Sequence, residues 1–114
     1  MFRVSSPMFA WFVVLISGAL EIVFSITMKF SEGFSRPVYS AISIVSAVLS
    51  VWLISTTLEV LPIGTAYAVW AGIGAAGTAL TGVLWLGEPA TLMRFACIGA
   101  VVAGIIGLQL LGAG

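Results

Sequence analysis

The chain has 114 residues, of which 61% are hydrophobic and 7% charged, with a mean hydropathy of +1.26 and a formal net charge of zero. Soluble domains carry about 25% charged residues, so this chain cannot cover a water-facing surface and reads as an integral membrane protein. No basic run is present, which argues against nucleic acid as a partner. With no histidine and a single cysteine, Cys97, a transition-metal site has no ligand set.

The first apolar run extends from about Pro7 to Met28 and is followed by the polar stretch KFSEGFSRP. Arg3 ahead of an apolar segment suggests a signal peptide, but the run is too long for one and has no small-residue cleavage site, so the segment is expected to be retained. Inside it lies one acid, Glu21, 14 residues after Pro7 and 8 before Lys29. A charge at that depth costs at least about 2.5 kcal/mol by insertion scales. Such an acid either faces a protein-lined cavity or keeps its proton until a cation or water reaches it. At helical spacings of three and four, Ser17, Gly18, Phe24 and Ser25 share its face. Gly18 is expected to open space beside the carboxylate, the serines to offer hydroxyls and Phe24 an aromatic wall.

The second run, about Val38 to Thr57, carries a polar stripe of Ser43, Ser46 and Ser50. The third, about Ile63 to Leu86, begins within the stretch LPIGTAYAVWAGIGA and places Tyr67, Trp70, Ala71, Gly74, Thr78 and Thr81 along one side. Tyrosine can hydrogen-bond a carboxylate, and tryptophan is the best cation–π surface. Trp70 lies too deep for an interfacial belt, which suits Trp11 and Trp85. Gly72, Gly74 and Gly77 would permit a bend. After GEP, the fourth run covers about Leu92 to Leu111. In it Cys97 reads as a small packing residue, and Ala100, Gly104 and Gly107 are spaced for close helix approach in lipid.

Runs of about 20 residues each cross a hydrocarbon core of roughly 30 Å as helices. The predicted fold is therefore an all-α membrane protein with four transmembrane helices. Four helices leave little interior, so a polar cavity implies self-association. Lys29, Arg36 and Arg94 fall on one side and Arg3 on the other, a mild positive-inside bias. Two carboxylates around one cavity would let an organic cation and protons exclude each other, which couples export to the proton gradient. The chain has no GxxxxGK[ST] motif for nucleotide-driven transport.

The acid of the first span, MKFSEGFSR after it and LPIGTAYAVWAGIGA in the third closely resemble the small multidrug resistance transporters. The resemblance spans essentially the whole chain, residues 1–114, as a single transmembrane domain. It implies an antiparallel, dual-topology dimer in a bacterial inner membrane that exchanges two protons for a cation, with no cofactor and no enzymatic activity. By position it implies that Glu21 is the shared proton and substrate acid. Tyr67 and Trp70 match the third-helix aromatics, Gly18 the small residue one turn before the acid, and Ser50 the second-helix hydroxyl. The third span with its LGE ending resembles the guanidinium exporter branch. MKFSEGFSR is similar to the quaternary ammonium branch, so a broader multidrug exporter is the alternative. Phe24 departs from both branches, one with tryptophan and the other with a small residue there, which leaves room for a guanidine derivative or a heterodimer with a paralogue. A rotary-ATPase proteolipid also has a mid-membrane acid, but it is a two-helix hairpin with no place for LPIGTAYAVW.

Overall fold

The computed structural model describes residues 6–112, so Arg3 and its part in the charge bias lie outside the described residues. The described residues form four helices: α1 Pro7–Phe30, α2 Pro37–Thr57, α3 Ile63–Leu84 and α4 Leu92–Gly112. All four are long and apolar enough to cross a membrane. Lys29, Arg36 and Arg94 fall at the one end where α1 and α3 finish and α2 and α4 begin.

The starts follow from local chemistry. Ser6 caps α1, its Oγ accepting from the Phe9 N–H at 3.2 Å, and Pro7 occupies the first turn, where its missing N–H costs nothing. Pro37 does the same for α2, and the Thr91 hydroxyl accepts from the Arg94 N–H at 3.1 Å to cap α4. The stops are equally specific. α1 runs two residues past Met28, then turns through Ser31, whose buried Oγ donates to the Met28 carbonyl and accepts from the Phe34 N–H. α3 ends at Leu84, two residues before the expected Leu86. Gly87, at φ 76°, turns the chain so that the Glu88 N–H reaches back to the Gly82 carbonyl at 3.0 Å.

α1 is the centre of the fold, packing against α2 on one side and α3 on the other, while α4 lies on α3. The dry core occupies the end nearest the α2–α3 turn and holds Ala10, Val13, Val14, Ile54, Leu61, Ala66 and Val69. Along the α1–α2 seam the stripe of Ser43, Ser46 and Ser50 is buried. Ser43 Oγ donates to the Phe24 carbonyl at 3.1 Å, and Ser50 Oγ to the Ser17 carbonyl at 2.7 Å. Such bonds in membranes contribute only about 0.6 kcal/mol each. Their larger effect is to fix the register of α2 on α1, because small residues let the two backbones approach.

Gly72, Gly74 and Gly77 sit within one continuous helix, and each receives a side chain, from Ile105, Glu21 and Ile22 respectively. Trp85 stands at the end of α3, largely exposed and edge-on to Phe30 at 6.4 Å. Trp11 is instead half-buried against the core, and its indole N–H has no partner among the described residues. The described chain measures 39 × 37 × 16 Å. The short dimension is less than half of either of the others, and α4 has no buried residue. The apolar side chains of α4, Val101, Val102, Ile106 and Leu110 among them, are left exposed among the described residues.

Candidate functional site

Glu21 reaches from α1 onto the backbone of α3 at Gly74. A Cβ built on Gly74 would lie 2.5 Å from the Glu21 Cδ and within 2.8 Å of both carboxylate oxygens. Any side chain there would take the space of the carboxylate, so the glycine is its seat. Oε2 of Glu21 is buried and has no hydrogen-bond partner among the described residues. An unpaired buried polar atom is costly, which makes this intramembrane acid the candidate centre of the site.

A cavity of about 490 Å³ opens from this carboxylate. Glu21, Phe24, Ser25, Gly74 and Thr78 line its inner part. Ser25 Oγ donates to the Ile22 carbonyl at 2.9 Å and lies 2.6 Å from Thr78 Oγ1. A hydroxyl carries a single hydrogen, so the Thr78 hydroxyl donates to Ser25 and closes the α1–α3 contact one turn beyond the acid. Towards the loops the lining passes to Lys29, Glu88 and Arg94.

The other predicted residues form a second cluster, one turn nearer the dry core. Trp70 Nε1 donates to Ser50 Oγ at 2.8 Å, and that hydroxyl in turn donates to the Ser17 carbonyl. Ser50, fully buried, therefore orients the indole. Tyr67 packs edge-on to Trp70, with ring centroids 5.3 Å apart, and is 58% exposed. Tyr67, Trp70 and Ser50 do not line the cavity that holds Glu21 in the same chain. Gly18 does not open space beside the carboxylate either, because Ile73 fills it: a Cβ on Gly18 would sit 2.5 Å from the Ile73 Cγ2. Close helix packing, not room for a ligand, is what Gly18 provides.

The expected contact residues of α4 are uncovered within the chain. Ala100 and Gly104 are exposed, and nothing lies within 4 Å of where a Cβ would stand on Gly104 or Gly107. Sequence reasoning missed the seating role of Gly74, the Thr78 partner of Ser25 and the charged mouth. Trp70, Gly74 and Thr78 recur every four residues, which puts them on one ridge of α3, and that spacing was the available signal.

The sequence model of the small multidrug resistance protein matches residues 9–101. The chain belongs to the small multidrug resistance family. Guanidinium exporters of Salmonella typhimurium and Citrobacter freundii are each 50% identical to it over 101 residues, covering 89% of this chain and 96% of the relative. A guanidinium exporter of Yersinia pseudotuberculosis is also 50% identical over 101 residues, covering 89% and 97%. Within the small multidrug resistance family the chain stands with this branch, as its third-span motif led us to expect. It is a transport protein, passing the bacterial inner membrane several times.

Proposed function

We propose that the protein is a proton-coupled antiporter that exports guanidinium or small guanidinyl cations, working as an antiparallel pair of a single transmembrane domain. The observation that carries this reading is the Glu21 carboxylate, seated on Gly74 with one oxygen unpartnered and opening into a cavity. The 50% identity to guanidinium exporters supports the substrate class. A carboxylate in that position holds either a proton or a cation, and binding of one releases the other. A planar guanidinium donates from every edge, which suits carboxylate oxygens held by neighbours. The test is uptake in proteoliposomes under a pH gradient, comparing guanidinium, guanylurea and tetraalkylammonium ions. Guanidinium uptake that ignores the gradient would sink the coupling, and a preference for tetraalkylammonium would favour the multidrug alternative.

Two copies are needed because the thin slab leaves the aromatics open. Tyr67 is exposed beside Trp70, and a second copy, identical or a paralogue, would complete an aromatic wall around two Glu21 carboxylates. In this reading Ala100, Gly104 and Gly107 carry the contact along α4. Gly104→Leu should then reduce the dimer fraction in crosslinking several-fold and reduce transport with it, because close backbone approach is lost. An unchanged dimer fraction would move the contact to another helix.

Phe24 sets the breadth of the substrate range. Its ring lines the cavity on the same face as Glu21, and unlike tryptophan it has no N–H with which to hold the carboxylate. The Ser25 hydroxyl does not take over that task, because its hydrogen goes to the Ile22 carbonyl. An apolar ring also favours cations with an alkyl side. Alkyl-substituted guanidiniums should therefore be exported at least as well as guanidinium itself, and Phe24→Trp should shift the preference toward the bare ion. The measurement is the ratio of uptake rates for the two ions, and a ratio that Phe24→Trp does not move would take position 24 off the substrate path.

A further inference from the structure

The cavity that begins at Glu21 ends among charged residues that the exchange mechanism does not use. Lys29 and Arg94 stand there, and both repel an approaching cation. Among the residues lining the cavity the acids are two, Glu21 at the inner end and Glu88 at the outer one. Glu88 is well fixed for a residue in a turn. Its carboxylate lies against the backbone of Gly82, where a Cβ would collide with Oε1. Its N–H donates to the Gly82 carbonyl at 3.0 Å, and Gly87, at φ 76°, aims it there. Arg94, held in the capped first turn of α4, places its Nη1 3.5 Å from Glu88 Oε1.

We propose that Glu88 is a second, outer carboxylate on the substrate path, and that the guanidinium of Arg94 occupies it until a substrate guanidinium displaces it. This rests on the reading that the substrate is a guanidinyl cation. Both side chains of the pair are nearly half exposed (41% and 45%), and ion pairs of that kind are worth little, so exchange is easy. Arg94 carries the same guanidinium group as the substrate, so a carboxylate that attracts one attracts the other. Without Glu88 the mouth would carry two positive charges and no acid, and the local field would hold cations away from Glu21.

A purely structural staple between α3 and α4 would make the two partners equivalent; an outer site makes them opposites. With guanidinium ion as the substrate in proteoliposomes, Glu88→Gln should raise KM roughly fivefold at low ionic strength, as expected for loss of electrostatic attraction. That difference should shrink in high salt. Arg94→Gln frees Glu88 and should lower KM by about twofold or more, for the same reason. Glu59→Gln, on an exposed turn away from the cavity, is the control and should leave KM alone. A rise in KM for both variants, or no change in either while the wild type transports, overturns the outer site and leaves the transport reading intact. If Glu88→Gln does not reconstitute, Arg94→Gln decides alone: lower KM supports the site, unchanged or higher KM overturns it. Wild-type liposomes that move no guanidinium ion would overturn the substrate reading and the outer site with it.

Discussion

Replacing Glu21 with glutamine should bring proton-driven guanidinium uptake down to the level of empty liposomes, while the protein still inserts and pairs. Glutamine has nearly the shape of glutamate, so it can occupy the seat that Gly74 provides without pressing on α3. What it loses is titration and charge. A neutral amide can neither release a proton on cation arrival nor balance a guanidinium in a place where water is scarce. Uptake under a pH gradient, with dimer content followed by crosslinking, separates this outcome from misfolding. Glu32→Gln is the matched control, since Glu32 pairs with Arg36 at 2.7 Å in the exposed α1–α2 turn, and coupling should survive it. Proton-driven uptake that persists in Glu21→Gln would remove the acid from the centre of the exchange.

What could be read in the chain, and what could not, follows from the range of the forces involved. The four spans were legible because length and hydropathy act over some twenty residues, and Pro7, Pro37 and Pro62 punctuate them. Glu21 was legible because an acid deep in an apolar run is too costly to persist without a use. The face of a helix was legible only in part: Phe24 and Ser25 share the cavity with the acid, whereas Ser17 is buried outside it with its hydroxyl donating to the Val13 carbonyl. Contacts between helices were harder. Gly18 and Gly74 both look like small residues near an acid, yet one receives Ile73 and the other receives the carboxylate. That difference depends on the relative height of α1 and α3, which no local pattern carries. The serine stripe of α2 illustrates the same limit. Serines in membrane helices usually bond their own backbone, but Ser43 and Ser50 bond the backbone of α1. Glu88 and Arg94, six residues apart across a turn, gave no periodic signal at all.

Gly74→Ala should lower transport on the order of tenfold or more with little loss of stability, as follows from how flexible the displaced group is. The new Cβ would stand 2.5 Å from the Glu21 Cδ, closer than packed atoms tolerate, so the carboxylate must move. It is the end of a side chain with several rotatable bonds, so moving it costs little in folding. Alanine also recovers about 0.8–1.0 kcal/mol of helix propensity over glycine, which offsets part of the strain. At Gly18 the same substitution would press on Cβ and Cγ2 of Ile73, whose β-branched side chain is stiff at χ1, and overpacking there costs about 1–3 kcal/mol of stability. Gly74→Ala therefore separates function from folding where Gly18→Ala does not. Misplacing a functional group by about 1 Å can cost a hundredfold, so the carboxylate need not move far. The decisive comparison adds Glu21→Asp, which is shorter by one methylene and withdraws the carboxylate from the new methyl group. Each single variant should transport poorly, and the double variant should transport better than the product of the two losses, because the shorter acid fits over alanine. Guanidinium uptake and thermal unfolding of all four proteins measure this. Losses that simply multiply, or a Gly74→Ala protein that transports like the wild type, would show that the carboxylate does not work from its seat on α3.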